Sequence, residues 1–423
     1  MTTHFAAYLD DQDLIRMEGG ESVTASLPFT LTSGSKTIEL LPTEEEKTLR
    51  SPLPIDMSQS YTLSNAKGET CLLHYRDIVR QPIFDQLYAY DGEDLGAHYS
   101  KEKTTFAFWA PISQEVELLI NQTAYPMERT EKGVWRLELE GDWEKASYYY
   151  QHQVNGVTHI VHDPYALSSE ANSGASYVID RHKIERPIQR ATTQLDPTEA
   201  IIYELSVRDF SMQKEAGFHH PGTFPALLES PKHGEQSFGF DYLKSLGITH
   251  IQLLPLYDFG SVDESSPTSG YNWGYDPVQY NVPEGSFSSQ PNDPYQRILE
   301  LQQVIDAYHE ADLSLIMDVV YNHVYLSDDF AFERIVPGYF YRYDQNRQRT
   351  NGTFCGNDVA SERAMVRNYI KQSVKQWVQL YGFDGFRFDL MGILDRQTMM
   401  EIQEELVAIY PNIYLYGEGW KMD

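Results

Sequence analysis

The first 92 residues contain short runs in which apolar and polar positions alternate, separated by turn-forming residues. Alternation with a period of two predicts strands that have one buried face. The runs are FAAYLD, SLPFTLTS, KTIELL and YTLSNAKGETCLLHYR. They carry no constellation of residues suited to catalysis. Residues 1–92 are therefore predicted to form a small N-terminal β domain.

Residues 93–187 show the same kind of pattern, with turns marked by Gly, Pro and Asn. The strand candidates are TTFAFWAPISQEVELLI, GVWRLELEGDW and SYYYQHQVNGV. Regularly spaced short strands favour an immunoglobulin-like β-sandwich. Tyr148, Tyr149 and Tyr150 are adjacent, so a strand points them to opposite faces and at least one should be buried. Trp109, Trp135 and Trp143 could stack on sugars, but core packing is the stronger interpretation of each.

From residue 188 to residue 423, short apolar runs alternate with helical stretches. The strand candidates are IIYELSVRDF, HIQLLPLYDF, LSLIMDVVYNH, GFRFDLM and IYLYGEGW. This alternation predicts βαβ units and a parallel sheet, and it fits a barrel or a doubly wound sheet equally well. No strand is followed by a GxGxxG or GxxxxGK[ST] loop, so nothing indicates nucleotide binding.

Polar residues stand where three consecutive predicted strands end, and parallel sheets carry their chemistry at that edge. Asn322 and His323 end one strand, Asp389 the next and Glu418 the one after. Alternation places Arg387 on the same face as Asp389. Glu418 stands between Gly417 and Gly419, and these small neighbours are expected to leave the backbone open to a bulky substrate.

Two carboxyl groups that lie close together, as these would on neighbouring strands, are the catalytic groups of most glycoside hydrolases. One must stay ionised to attack the anomeric carbon, and the other must hold a proton for the leaving oxygen. The competing interpretation makes Arg387 and Asp389 a buried ion pair and Glu418 a strand-end cap. No zinc or EF-hand spacing is present, so a catalytic metal is not expected, whereas a structural calcium ion stays open.

Charge and cysteine content narrow the class of protein. The 33 Lys and Arg residues against 62 Asp and Glu give a net charge of −29, which argues against nucleic acid and anionic membranes as partners. The two cysteines form no CxxC pair or disulfide framework, and no signal peptide or membrane span is visible. These features predict a cytoplasmic protein.

Several ordered motifs resemble the α-amylase superfamily of glycoside hydrolases. DVVYNHV, GFRFDLMGI and YGEGW are similar to three regions of that superfamily. YNWGYDP resembles the signature of type I pullulanases, which hydrolyse α-1,6 links in pullulan and starch. IYELSVRDFS and NGTFCGNDVASER resemble further segments of the same enzymes, and residues 93–187 resemble their starch-binding-type module.

The resemblance implies a (β/α)₈ TIM-type barrel and a role for each matching residue. Asp389 would be the nucleophile, Glu418 the general acid and base, and Arg387 the group that keeps Asp389 ionised. Around the attacked glucose, His323 would bind hydroxyl groups, Tyr275 would stack, and Asp276 would support the same wall. Trp273, in the same motif, is also expected to bind substrate, and Asn322 matches a position that holds structural calcium in many amylases. Retention of configuration is expected, with carboxyl groups roughly 5–5.5 Å apart.

The length of 423 residues suits three average domains, but an eight-stranded barrel alone takes about 250 residues. Only five strand candidates follow residue 188, and the third catalytic acid of the family is not in the sequence. We therefore expect an N-terminal part of a longer enzyme, inactive or unstable alone. The expected partner is an α-glucan, and the oligomeric state is unknown. The alternatives are isoamylase-like or neopullulanase-like activity, or a noncatalytic glucan-binding protein.

Overall fold

The computed structural model describes residues 5–20, 23–192 and 197–421. Its larger sheets form a closed barrel, a sandwich of two sheets and a parallel sheet of five strands, in that order along the chain. Within the described residues no helix is both long and apolar enough to span a bilayer.

The closed barrel is the form taken by the predicted N-terminal β domain. Its strands are β1 (Phe5–Leu9), β2 (Leu14–Gly19), β3 (Phe29–Ser33), β4 (Lys36–Pro42), β5 (Thr48–Arg50), β6 (Thr62–Asn65) and β7 (Thr70–Tyr75). Parallel pairing of β1 with β7 closes the circle. Alternation along β1 buries Phe5, Ala7 and Leu9 inside. Helix α1 (Pro82–Tyr88) follows the barrel, and the strand pattern of the sequence does not predict it.

The sandwich consists of two antiparallel sheets, as predicted. Its strands are β8 (Gly96–Tyr99), β9 (Lys103–Trp109), β10 (Val116–Ile120), β11 (Thr123–Pro126), β12 (Glu128–Arg129), β13 (Val134–Glu140), β14 (Ser147–Val154), β15 (Val157–Val161) and β16 (Ser176–Tyr177). One sheet has the order β11-β10-β14-β15 with β16 beside β14, and the other has the order β12-β13-β9-β8. Tyr148 and Tyr150 are buried and Tyr149 is not, so the prediction for this triplet is confirmed. Trp109 and Trp135 are buried as well.

The parallel sheet has the strand order β17-β20-β21-β22-β23. Its elements, with a small hairpin formed by β18 and β19, are β17 (Ile202–Leu205), β18 (Lys232–His233), β19 (Gln236–Ser237), α2 (Gly239–Ser245), β20 (His250–Leu253), α3 (Gln296–Glu310), β21 (Ser314–Val319), α4 (Ala331–Ile335), α5 (Ala364–Gln376), β22 (Gly385–Phe388), α6 (Arg396–Ile409) and β23 (Tyr414–Gly417). Every residue of β21 is buried, as expected for a central strand covered on both faces. The five strands coincide with the five apolar runs of the sequence, and the boundaries near residues 92 and 187 stay predictions.

The start of α5 departs from the sequence pattern. Ser361 is a natural candidate for its N-cap, yet its hydroxyl accepts the backbone N–H of Asp395 instead. The cap comes from α1, because Asp85 Oδ2 accepts the N–H of Ala364 at 3.1 Å. Asp85 Oδ1 also accepts the hydroxyl of Tyr339, which in turn accepts the N–H of Met365 at 3.0 Å. Asp85, a residue of the N-terminal segment (residues 1–92), thus accepts a backbone N–H at the first turn of α5.

Candidate active site

Strand register brings the predicted site residues together. Asp318 on β21 is paired with Arg387 on β22, and Arg387 is paired with Tyr416 on β23. Asp389 and Glu418 follow directly on the last two of these strands. The carboxyl ends of β21, β22 and β23 therefore converge on one edge, as the sequence predicts.

The guanidinium of Arg387 contacts three carboxylates from three neighbouring strand ends. Its Nη1 donates to Asp318 at 3.0 and 3.1 Å and to Asp389 Oδ1 at 3.1 Å. Its Nη2 donates to Glu418 Oε1 at 2.5 Å. Burial lowers the pKa of Arg387, but its carboxylate partners, Asp318 first, outweigh burial and raise the pKa above its usual value. This side chain therefore stays charged and fixes Asp389 and Glu418 close to each other.

Asp389 is also held from β21. Its backbone N–H donates to the carbonyl of Val319 at 2.9 Å. Asn322 Nδ2 donates to Asp389 Oδ2 at 3.0 Å and to the Asp389 carbonyl at 2.7 Å. Each oxygen of the carboxylate thus has a donor, Arg387 on one and Asn322 on the other. A carboxylate anchored in this way is oriented for attack on a neighbouring carbon.

Glu418 is tied to the turn that follows β22. Its Oε2 accepts the N–H of Leu390 at 3.1 Å, and its carbonyl accepts the N–H of Gly392 at 3.0 Å. Gly417 is explained by packing and not by room for substrate, because a Cβ there would lie 2.5 Å from the carbonyl of Phe388. Gly419 does border open space, with nothing within 4 Å of such a Cβ.

Tyr275 and Asp318 form the wall beside Arg387. The Tyr275 hydroxyl donates to Asp318 Oδ2 at 2.7 Å. Burial raises the pKa of Asp318 to about 7, although Arg387 and Tyr275 act in the opposite direction. Burial likewise raises the pKa of Tyr275, so its hydroxyl stays protonated and remains a donor.

His323 is buried and lies behind this wall. Its Nε2 donates to the carbonyl of Tyr275 at 2.7 Å, and its Nδ1 faces Asn322 Oδ1 at 2.5 Å. Burial lowers the pKa of His323. In this structure the imidazole positions Tyr275 and Asn322, and a bond from His323 to a sugar hydroxyl stays a prediction.

The converging side chains line a cavity of about 380 Å³. Its lining is formed by Glu204, Leu254, Trp273, Tyr275, Arg387, Asp389 and Glu418. Trp273 is 56% exposed, so its ring is accessible to a ligand, while its indole N–H donates to the hydroxyl of Tyr271. Asp276 has a different role, because its oxygens accept Asn272 Nδ2 at 2.6 Å and Ser261 Oγ at 3.0 Å, and these bonds fix its loop.

Sequence reasoning missed Glu204, Leu254 and Asp318. Asp318 begins the motif DVVYNHV, and its signal is a charged residue inside an otherwise apolar strand. Glu204 carries the same signal on β17, where its carboxylate accepts Gln252 Nε2 at 2.6 Å. A buried charge such as Asp318 in a central strand is costly unless it has a partner, so it marks a polar network. Glu204, in contrast, is exposed on the edge strand β17.

Asn322, the position that the resemblance links to calcium, is bonded within the active site. Its Nδ2 donates to Asp389, and its Oδ1 lies 2.5 Å from His323 Nδ1. The described residues hold one group of carboxylates close enough for a metal, formed by Asp258, Glu264 and Glu284 within 4.8 Å of one another. Calcium binding stays a prediction.

That carboxylate group already has other means of balancing its charge. Arg297 bonds Glu264 at 3.0 Å, and both side chains are fully buried. Burial, together with the charge of Glu264, raises the pKa of Glu284 to about 8. Burial raises the pKa of Asp258 as well, so the buried arginine and the raised pKa values of these acids reduce the negative charge of the group.

Two family models match the chain. The model described as carbohydrate-binding module 48, the isoamylase N-terminal domain, matches residues 94–166. The model of the α-amylase catalytic domain matches residues 239–349. The first match falls on the sandwich, and the second extends from α2 to the segment that follows α4.

Relatives with solved structures or curated sequences align with nearly the whole chain. The pullulanase of Bacillus subtilis strain 168 is 36% identical over 438 residues, covering 99% of this chain and 60% of its own length. The crystal structure of a pullulanase from Anoxybacillus sp. LM18-11 complexed with maltotriose has a TM-score of 0.94 at 38% identity, covering 99% of this chain and 63% of that one. Pullulanase type I from Bacillus subtilis strain 168, complexed with maltose, has a TM-score of 0.92 at 35% identity.

This chain thus spans about 60% of the length of the pullulanases it matches. The match includes the barrel, the sandwich and the five-stranded sheet, and it includes the strand ends that carry Arg387, Asp389 and Glu418. The chain belongs to the type I pullulanase family of the α-amylase superfamily.

Proposed function

We propose that the protein is a debranching glycoside hydrolase of the pullulanase type, which cleaves α-1,6-glucosidic links in pullulan, starch or glycogen-derived dextrins with retention of configuration. One observation carries the proposal. Arg387 holds Asp389 and Glu418 side by side on a cavity at the carboxyl edge of the sheet. Two anchored carboxylates facing one cavity are what a retaining hydrolase requires.

In the first step an oxygen of Asp389 attacks the anomeric carbon, while Glu418 gives a proton to the departing C6 oxygen of the next glucose. The products are a glucosyl ester on Asp389 and a free hydroxyl on the leaving chain. In the second step Glu418 takes a proton from water, and the water oxygen displaces Asp389. We expect the two carboxyl groups roughly 5–5.5 Å apart in the substrate complex.

Both oxygens of Glu418 accept hydrogen bonds in this structure, from Arg387 and from the N–H of Leu390. Each carboxyl oxygen has two lone pairs, so Glu418 can take up the proton that it gives to the leaving oxygen while it keeps these two donors. Arg387 keeps Asp318 and Asp389 as partners during that change, because those bonds use its other terminal nitrogen.

The remaining site residues are proposed to bind substrate. Tyr275 and Trp273 line the cavity and offer aromatic faces to sugar rings. His323 and Asp276 support this wall from behind through bonds to the Tyr275 carbonyl and within the loop. The chemistry uses side chains only, so we propose that no cofactor takes part in it.

An α-glucan is the partner that we propose, since a neutral polysaccharide is compatible with a net charge of −29. That charge disfavours nucleic acid and anionic membranes. Cys71 is buried and Cys355 is exposed, and both are free thiols. Free thiols are typical of a reducing compartment, and we propose the cytoplasm.

The decisive experiment is product analysis after incubation of the intact protein with pullulan. Maltotriose is expected, formed initially as the α-anomer in the NMR spectrum, whereas panose would indicate a neopullulanase-like activity. Asp389→Asn and Glu418→Gln should each abolish turnover. Glu235→Gln, a matched loss of one carboxylate in the exposed turn between β18 and β19, should change nothing. Full activity of Asp389→Asn would refute the nucleophile assignment, and glucan binding without hydrolysis would favour the noncatalytic alternative.

A further inference from the structure

Phe354 is the most exposed large apolar side chain among the described residues. Its exposed fraction is 86%, against 56% for Trp273. It lies in the segment NGTFCGNDVASER, between α4 and α5. Placing a phenyl ring in water opposes the hydrophobic effect, so packing does not explain this residue.

The backbone at Phe354 is unfavourable too. Its φ is 63°, in the left-handed region that residues with a Cβ rarely adopt. Hydrogen bonds hold the segment in this form: the N–H of Phe354 donates to the carbonyl of Asn351 at 3.2 Å, and the N–H of Gly356 donates to Asn351 Oδ1 at 2.6 Å. Asp358 accepts the N–H groups of Gly352 and Thr353 at 2.8 and 2.9 Å. Strain that the surroundings enforce is a feature of ligand clamps.

The segment is fastened directly to the active site. Asn357 exchanges two hydrogen bonds with the backbone of Val324, at 3.0 and 2.9 Å. The N–H of Val359 donates to the carbonyl of Asn322 at 2.9 Å, and Asn322 holds Asp389. The charge of Asp389, after burial, contributes to the raised pKa of Cys355, the neighbour of Phe354. Phe354 thus lies in a stiff loop next to the nucleophile.

Other exposed aromatic side chains occupy loops at the same edge of the sheet. They are Tyr271 and Trp273 after β20 and Trp420 after β23. Phe354 adds a ring from the loop after β21, so the loops after β20, β21 and β23 each contribute an exposed ring at this edge. Exposed aromatic rings in loops at the edge that holds a polar cavity are typical of a binding surface for a ligand with apolar faces, and the C–H faces of a glucose ring have that character.

We propose that Phe354 is a stacking platform for a glucosyl unit of the substrate and so a determinant of substrate specificity, a role that rests on the proposed function. The unit it holds differs from the one attacked. Tyr275 is half-buried, bonded to Asp318 and part of the cavity lining, whereas Phe354 is 86% exposed and lies outside that lining. Contact with the glucan thus explains why this position has an unfavourable backbone conformation and an exposed ring.

The test measures binding of maltotetraose by calorimetry in the intact protein with Asp389→Asn, which prevents turnover. Phe354→Ala should raise the Kd about tenfold, the scale of one aromatic stacking contact. Phe354→Trp should restore most of the affinity. Leu53→Ala is the matched control, because Leu53 is an exposed apolar residue of the N-terminal segment. An unchanged Kd in Phe354→Ala would overturn the inference and leave the proposed function intact.

Phe354→Gly separates a binding role from a structural one. Glycine adopts a φ of 63° without strain, so this variant should have a higher Tm than the parent. Its affinity for maltotetraose should be weaker, because the ring is lost. If Phe354 supported the fold instead, Tm and affinity would fall together. Cys355 supplies a second readout, since maltotetraose should slow its alkylation while buried Cys71 remains unreactive.

The two proposals fail in distinguishable ways. Loss of pullulan cleavage in the parent protein, with Phe354-dependent binding of maltotetraose retained, would contradict the hydrolase and leave the platform. Normal cleavage, with neither a change in Kd for Phe354→Ala nor protection of Cys355, would contradict the platform and leave the hydrolase. A parent protein that does not bind maltotetraose would refute the platform outright.

Discussion

Arg387 and Asp318 are joined across neighbouring parallel strands, with Nη1 3.0 Å from Oδ1 and 3.1 Å from Oδ2. Asp318 is fully buried, and the pair fixes the guanidinium at the base of the cavity. From this position Arg387 reaches Asp389 with the same nitrogen and Glu418 with the other. The positions of the Asp389 and Glu418 carboxylates thus depend on an ion pair between two neighbouring strands of the sheet.

Arg387→Lys tests whether shape or charge is decisive at this position. An ammonium group is a single point of charge and does not span carboxylates on both sides as the planar guanidinium does. We expect kcat to fall at least about 100-fold while the protein stays folded, since one misplaced catalytic group costs that much. Steady-state kinetics on pullulan and circular dichroism together check this. A lysine variant with nearly the parent kcat would show that charge alone suffices.

Asp318→Asn tests the pH dependence of stability. Burial raises the pKa of Asp318 to about 7 in the folded state, above an unfolded value near 4. Between these values the folded protein binds the additional proton, so the contribution of Asp318 to stability falls as pH rises from 4 to 7 and is then constant. The unfolding free energy of the parent minus that of Asp318→Asn should fall by up to about 4 kcal/mol over this interval.

Urea unfolding at pH 4, 5.5, 7 and 8 measures that difference. Other buried acids with raised pKa values, such as Glu284, are present in both proteins and cancel in the comparison. A difference that rises with pH would mean that the pairing of Asp318 with Arg387 outweighs burial.

Tyr275 offers a ring to the substrate and a hydroxyl to Asp318, and two variants separate these roles. Tyr275→Phe removes the 2.7 Å bond to Asp318 and keeps the ring. We expect it to lower kcat about tenfold with KM nearly constant, a loss of about one hydrogen bond. Tyr275→Ala also removes the stacking surface and should raise KM as well. Equal kinetics for the two variants would argue against stacking by Tyr275.

Much of this arrangement follows from local pattern. Parallel strands in the apolar centre of a domain place the residues that follow them at one edge of the sheet. The proximity of Asp389 and Glu418 could therefore be predicted from the sequence alone. Alternation also placed Arg387 on the face of Asp389, and the 3.1 Å contact agrees. These inferences succeeded because they need only the period of a strand and the geometry of parallel pairing.

What escaped prediction depends on partners that are distant in sequence. The helix α5 takes its cap from Asp85, 279 positions away, and not from nearby Ser361. Gly417 is small because the carbonyl of Phe388 packs against it. Sequence pattern indicates that a polar group or a glycine matters, but only packing shows what it meets.

The long-range cap supplies a final prediction. Asp85 is half-buried, accepts the Ala364 N–H at the start of α5 and holds the Tyr339 hydroxyl, so its carboxylate also complements the helix dipole. Asp85→Ala should lower the unfolding free energy by about 1–2 kcal/mol, whereas Asp85→Asn, which keeps an acceptor oxygen, should lose less. Asp91→Ala, an exposed aspartate nearby, is the control. If Asp85→Ala unfolded at the same denaturant concentration as Asp91→Ala, the cap would contribute nothing. A loss confined to Asp85→Ala would establish that the N-terminal segment stabilises the sheet domain through one helix end.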